Sequence, residues 1–191
     1  MNNLYPIFIK PENIRILIVG GGFVALEKLT FLYKSSPEAM VTLVSPMIRE
    51  ETLAFIADKE VTIINEKYAS VFLKGHQLVI ATTDDKDVNK KVSKDAQKEG
   101  ILVNIADTPH LCDFYMGSIV TKGHLKMAIS TKGKSPTLAK RMREWLEYII
   151  PDEIDESLGK LNDFRSRIKG DFVLKLKHMD EVTDAFIIKK S

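Results

Sequence analysis

The chain has 191 residues, 45% hydrophobic and 28% charged, a balance that fits a globular protein with one full core and a smaller attached unit. Its 28 lysines and arginines face 26 aspartates and glutamates, so a formal charge of +2 supplies no overall drive toward nucleic acid. No apolar stretch nears the roughly 20 residues of a membrane span, the N-terminus lacks the pattern of a signal peptide, and the lone Cys112 excludes an intrachain disulfide, so the expectation is a cytoplasmic protein that binds neither membrane nor nucleic acid.

Residues 14–19 (IRILIV) form a β-branched run that leads straight into Gly20-Gly21-Gly22, and residues 25–33 repeat Leu26, Leu29 and Leu32 at helical spacing. The pattern predicts strand, tight turn, helix. Residues 40–44 (MVTLV) predict a second strand, closed by Ser45-Pro46, with a helix over 48–57. Further strands are expected at 61–64, 78–82 and 101–105, the last two separated by a lysine-rich helix over 87–98. Such alternation implies the α/β class, a Rossmann-like, mostly parallel sheet covered on both faces. After Asp107 the rhythm changes: residues 118–121 and 125–130 read as a hairpin turning at Lys122-Gly123-His124. Ser135-Pro136 offers an N-cap with proline at the first helical position, and Leu138, Met142, Trp145, Leu146 and Ile149 follow as one apolar stripe. Pro151 ends or offsets that helix, and Ile154, Leu158, Leu161, Phe164 and Ile168 predict another. The expected division is an α/β domain over 1–112, a smaller α+β segment over 113–150, and a helical C-terminal domain over 151–191.

Gly20-Gly21-Gly22-Phe23-Val24-Ala25 has the form G-x-G-x-x-A, and its position between a predicted strand and a predicted helix is what makes the pattern informative. Gly20 permits the turn, Gly22 lets the backbone approach a pyrophosphate, and Ala25 lets the helix pack close to the strand. The N–H groups at the helix start, with Phe23 and Val24, face the anion. A turn that serves packing alone, or another phosphate-bearing ligand, are the alternatives. At the end of the second strand, Val44-Ser45-Pro46-Met47 lacks the acidic residue that often holds ribose hydroxyls in NAD enzymes. Ser45 and Pro46 therefore stand at the ribose position, and these residues do not separate NAD from NADP. Nearby Arg49 either meets a 2′-phosphate or is solvated.

In open parallel sheets ligands bind beyond the carboxyl ends of the strands, which singles out two clusters. In Thr82-Thr83-Asp84-Asp85, Thr82 and Asp84 line a cofactor cleft, or the segment N-caps the following helix; both readings can hold together. Asp107 stands where the chain leaves the sheet, and it is either a catalytic carboxylate between cofactor and substrate or a turn-former before Thr108-Pro109. The hairpin and its following loop contribute His124, Lys126, Ser130, Thr131, Lys132, Lys134 and Ser135, with Lys140, Arg141 and Arg143 beyond. These donors suit a polycarboxylate substrate, or they are a solvated charged face. His110 and Cys112 lie too close together to make a metal site, no second ligand pair has zinc spacing, and no metal is expected.

Five blocks together carry a resemblance: Leu4-Tyr5-Pro6-Ile7-Phe8; Val19-Gly20-Gly21-Gly22 with Val24, Ala25 and Lys28; Ala81-Thr82-Thr83-Asp84-Asp85 with Asn89; Val103-Asn104-Ile105-Ala106-Asp107; and the run from Ala128 through Ser130, Lys132 and Lys134 to Pro136. Over about residues 1–150 the chain resembles the precorrin-2 dehydrogenase family, which includes the dehydrogenase/ferrochelatase module of siroheme synthases. The resemblance implies a homodimer built through the middle segment that uses NAD to remove two hydrogens from precorrin-2, giving sirohydrochlorin. It puts the catalytic aspartate at Asp107. With the reading of the basic loop, it suggests that Ser130, Thr131, Lys132, Lys134 and Ser135 hold substrate carboxylates. Some members also insert ferrous iron, and these motifs do not separate the two kinds. No methyltransferase domain is expected here, so another protein is expected to supply precorrin-2. The alternative is a non-catalytic dinucleotide-sensing module; it predicts an acidic residue at the second strand end, and Ser45-Pro46 together with Asp107 favours the enzyme.

Overall fold

A computed structural model describes residues 2–184; residues 185–191 of the expected C-terminal domain lie outside the described residues. Five short apolar strands, β1 (Arg15–Val19), β2 (Met40–Val44), β3 (Val61–Ile64), β4 (Leu78–Ala81) and β5 (Leu102–Ile105), form one wholly parallel sheet in the order β3-β2-β1-β4-β5. The crossovers carry α1 (Phe23–Ser35), α2 (Glu50–Ile56), a 3-10 turn at Ser70–Leu73, and α3 (Lys86–Glu99).

Strand side chains alternate between the two faces of a sheet, so a sheet covered on both sides needs apolar residues at every position. Ile16, Ile18, Val41, Leu43 and Ile80 pack with Ala25, Leu29 and Tyr33 of α1 and Ile56 of α2. Leu17, Val19, Val79, Ala81, Val103 and Ile105 pack on the other face with Leu73 and with Val92 and Ala96 of α3. Leu17, Ile18, Leu29 and Leu43 are completely buried, each stabilising the fold by about 1.5–3 kcal/mol relative to exposure.

Helix ends follow local chemistry. α1 begins at Phe23, two residues before the periodic apolar run, because Gly22 already takes the extended N-cap conformation (φ −85°, ψ −165°). α2 begins at Glu50 rather than at residue 48, since Arg49 is its extended N-cap. Asp85 caps α3 by accepting from the N–H groups of Asp87 (2.9 Å) and Val88 (3.1 Å), a cap worth about 1 kcal/mol.

By contacts the chain divides into Met1–Gly117 with Ser130–Pro136, and Ser118–Ile129 with Thr137–Ser191. The loop 130–136, which the sequence groups with the hairpin, therefore belongs to the first unit. In the second unit, β6 (Ser118–Lys122) and β7 (Leu125–Ile129) pair antiparallel across a two-residue turn, and α4 (Pro136–Ile149), α5 (Ile154–Arg167) and α6 (Phe172–Thr183) follow. The Asp155 carboxylate grips the hairpin turn, accepting from the backbone N–H of His124 at 2.6 Å and lying 2.7 Å from its Nδ1. Lys122 pairs with Asp152 beside it. α6 carried no readable signal in the sequence, yet Asp171 caps it by accepting from the Leu174 N–H at 2.9 Å. Among the described residues no helix is long and apolar enough to cross a membrane.

Candidate active site

Because every strand of the sheet runs the same way, their carboxyl ends share one edge: Val19 pairs in register with Val44 and Ala81, and Ala81 with Ile105. The strand order reverses between β1 and β4, and in folds of this kind the ligand position is at the carboxyl ends of the strands where that reversal occurs.

The glycine turn leaves β1 at that point, and its three glycines answer to three different constraints. Gly20 adopts φ +113°, and a Cβ there would lie 2.7 Å from the Thr82 hydroxyl oxygen. That hydroxyl donates to the Val19 carbonyl at 2.9 Å, so Thr82 closes the turn from β4. A Cβ on Gly21 would lie 2.6 Å from the Met47 carbonyl oxygen and 2.8 Å from Ile48 Cα. Its own carbonyl accepts from the Arg49 N–H (3.0 Å) and the Thr52 hydroxyl (3.3 Å), fastening the turn to the start of α2. A Cβ on Gly22 would meet nothing within 4 Å. The backbone there is open to a ligand, and no side chain caps the N-terminus of α1, so the first N–H groups of the helix, those of Phe23 and Val24, are not taken up by a cap. This cradle fits a dinucleotide pyrophosphate. The need for glycine at position 21 is not visible in the sequence, because the pattern treats that position as variable and only the fold brings residues 47 and 48 against it.

At the end of β2, Ser45 is buried and its hydroxyl donates to the Met47 carbonyl at 2.7 Å, while Pro46 is exposed. The Arg49 guanidinium lies 3.7 Å over the Phe23 ring and bonds Glu51 through Nε (3.2 Å) and Nη2 (3.1 Å). Those hydrogen bonds from Arg49 hold the Glu51 carboxyl below its ordinary value. At the end of β4, Asn89 of α3 is buried and binds the preceding loop twice: its Oδ1 accepts from the Thr83 hydroxyl (2.7 Å) and its Nδ2 donates to the Thr83 carbonyl (2.8 Å). Asp84 is exposed on this loop.

Asp107 is exposed just beyond β5, in the left-handed backbone region with φ +55°. The Thr108 N–H returns to the Ile105 carbonyl at 3.3 Å and its hydroxyl to the Ala106 carbonyl at 3.2 Å, so the carboxylate rides on a tight turn. Farther along, loop 130–135 is folded on itself. Ser130 Oγ accepts from the Lys132 N–H (3.2 Å), and Thr131 Oγ1 accepts from the Ser135 N–H (3.1 Å). Lys132 has φ +54°, and its Nζ donates to Asn3 Oδ1 at 2.5 Å; the Ser130 carbonyl accepts from Asn2 Nδ2 at 3.4 Å. Lys134 is exposed. Asn2 and Asn3 had no signature in the sequence, since only long-range folding sets them against this loop. Among the described residues, no group of three or more His, Cys, Asp or Glu side chains is arranged to hold a metal ion.

A protein-family model described as "Putative NAD(P)-binding" matches residues 7–118. The chain belongs to this NAD(P)-binding family. The match covers every strand of the parallel sheet, the glycine turn and Asp107. A second model, "Sirohaem biosynthesis protein central", matches residues 122–147. Among relatives of this NAD(P)-binding chain, the siroheme synthase of Psychrobacter cryohalolentis is 37% identical over 174 residues, covering 91% of this chain and 32% of the relative. The siroheme synthase of Pseudoalteromonas translucida is 40% identical over 167 residues, covering 87% of this chain and 35% of the relative. The chain thus spans about a third of the length of the curated relatives it matches. A solved structure titled "SirC, precorrin-2 dehydrogenase" has the same fold, with a TM-score of 0.72 and 24% identity, covering 94% of this chain and 89% of that one.

Proposed function

We propose that the chain is an NAD-dependent precorrin-2 dehydrogenase that yields sirohydrochlorin for siroheme. The observation that carries this reading is Asp107, a carboxylate on a left-handed turn (φ +55°) at the carboxyl edge of a sheet whose glycine turn stands open at Gly22. A non-glycine residue in sparsely populated backbone space costs about 1–3 kcal/mol, and such positions cluster at functional sites. The names of the relatives and of the structural neighbour support the same substrate.

When bound, NAD supplies the acceptor for a hydride. Removing two hydrogens from precorrin-2 also releases a proton, and Asp107 accepts it and passes it to the solvent to which it is exposed. Gly20, Gly22, Phe23 and Val24 hold the pyrophosphate, Ser45 and Pro46 border the ribose, and Thr82 and Asp84 line the cofactor cleft. NAD is favoured over NADP because Glu51 and Phe23 already engage Arg49, the arginine that follows β2 and that a 2′-phosphate would need. Ser130, Thr131, Lys132, Lys134 and Ser135 bind the peripheral carboxylates of the macrocycle, with Lys132 oriented by Asn3. The working form is a cytoplasmic homodimer joined through 113–150, with a C-terminal domain from residue 151 onward whose described part is helical.

Asp107→Asn keeps the shape of the side chain but removes the base. It is expected to slow NAD reduction with precorrin-2 at least about a hundredfold, with NADH affinity unchanged by fluorescence titration. Wild-type turnover in this variant would refute the assignment. Metal insertion into sirohydrochlorin is measured separately, with ferrous ion and the same variant.

A further inference from the structure

We infer that Cys112 is a positioning residue, whose thiol occupies the outer edge of β5 in place of a neighbouring strand and holds the turn that presents Asp107. The inference rests on the reading of Asp107 as the proton acceptor.

β5 is the last strand of the sheet, so one row of its backbone groups has no strand to pair with. The N–H groups of Leu102 and Ala106 point inward, to the carbonyls of Gln77 (3.2 Å) and Ala81 (2.9 Å). Val103 and Ile105 present theirs outward, yet both residues are buried, and a buried backbone group without a partner is strongly unfavourable. Two consecutive residues returning from the Asp107 turn satisfy them. Asp113 serves Val103 in both directions, since its carboxylate accepts from the Val103 N–H (3.0 Å) and its own N–H donates to the Val103 carbonyl (2.8 Å). Cys112 serves Ile105 with one atom: Sγ accepts from the Ile105 N–H at 3.2 Å and donates to the Ile105 carbonyl at 3.3 Å. The chain closes one residue further on, where Asn104 Nδ2 donates to the Phe114 carbonyl at 2.8 Å.

The thiol also lies 3.4 Å from the Thr108 carbonyl, so it contacts the backbone on both sides of Asp107. Accepting and donating at once requires the S–H form. Burial, reinforced by the Asp113 charge and opposed by the Ile105 hydrogen bond, pushes the thiol up from its ordinary value and keeps that proton in place. An apolar side chain of the same size would fill the space and make neither bond.

The test uses Cys112→Val, which keeps the volume, and Cys112→Ser, which keeps a donor and an acceptor. Cys112→Val is expected to lower kcat for NAD reduction by about ten- to a hundredfold, the scale on which a misplaced reacting group slows a reaction. KM for precorrin-2 and the Kd for NADH should stay near the wild-type values, and Cys112→Ser should recover most of the loss. Amide exchange at Ile105 should quicken in the valine variant, because its N–H loses its acceptor. Combined with Asp107→Asn, Cys112→Val should cost little more than Asp107→Asn alone, since both act on one base. Wild-type kcat in Cys112→Val, unchanged exchange at Ile105, or a loss that persists in full in the Asp107→Asn background would overturn the positioning role. Wild-type turnover in Asp107→Asn would instead remove the reading of Asp107, which separates the two failures.

Discussion

The first unit buries its central strands on both faces, whereas the second has few fully buried apolar residues. Leu17, Leu29, Leu43, Val79 and Val103 of the first unit are completely buried. In the second, Val120 and Ala139 are the buried residues among those described, while Leu138 and Trp145 of α4 are each 53% exposed. The second unit relies on its hairpin ladder, on the Lys122–Asp152 and His124–Asp155 contacts, and on helix-surface pairs such as Arg143–Glu147 at 2.6 Å. Ion pairs at a solvent-accessible surface are worth about 0–1 kcal/mol each, and a lone two-stranded hairpin is marginal in water. A unit with its own core can hold a site to the tolerance that chemistry needs. A unit without one calls for an apolar partner, which is the physical support for the proposed homodimer.

The contrast predicts that a change at the glycine turn removes ligand binding without touching association. Gly22→Asp places a carboxylate where the backbone is open, and a like charge against the pyrophosphate should weaken NADH about a hundredfold or more by calorimetry. The mirror experiment is Trp145→Glu on the exposed stripe of α4. It should weaken the dimer about thirtyfold or more by sedimentation, the effect of losing an aromatic anchor, with NADH affinity intact. A wild-type dimer in that variant would leave the exposed stripe without the proposed role.

A smaller effect is expected where the first unit is merely tightly packed. Gly21→Ala must push its Cβ against the Met47 carbonyl, 2.6 Å away, and Ile48. Overpacking of this kind costs about 1–3 kcal/mol, which for a chain of this size lowers Tm by roughly 2–12 °C. Unchanged Tm would show that the α2 connection gives way without cost.

The smallest effect concerns pH. His76 lies 3.0 Å from the Thr42 hydroxyl. Burial holds its imidazole below the ordinary 6.5, reinforced by the Arg15 charge and partly offset by the nearby backbone of residues 72–74. The unfolded chain therefore takes up this proton more readily than the folded one. The stabilisation is complete above pH 6.5 and is lost as the pH falls through the lower folded value. His76→Gln should flatten the decline of Tm between pH 7 and about pH 5. The Asp155 carboxyl, held below 3.8 chiefly by the His124 backbone N–H, contributes in the same direction at more acid pH, so the two windows separate.

Much of the first unit was legible because its signals are local. A β-branched run of four or five residues, a glycine turn and an apolar helical stripe each declare themselves within one element, and β2 and β3 fall at the expected bounds. The glycine pattern located the cradle, and the position of Asp107 after β5 marked the carboxyl edge. What stayed hidden were contacts between distant segments: Asn2 and Asn3 on loop 130–132, Asn89 on Thr83, Met47 over Gly21 and Cys112 on Ile105. α6 stayed unread because its apolar residues lack one consistent face, and Asp171 is the only cap that marks it.

The sequence by itself determined the α/β class, the run of parallel strands and the place of the glycine turn, because periodicity and turn chemistry act over a few residues. Only the tertiary structure decided how each candidate side chain is used. It commits the Thr82 and Ser45 hydroxyls to backbone carbonyls, ties Arg49 to Glu51 and Phe23, moves loop 130–136 into the first unit, and sets the Cys112 thiol on the open edge of β5. The Thr82 and Cys112 assignments depend on which backbone groups are left without partners once the sheet has formed. That is a property of the folded edges and appears in no single segment of the chain.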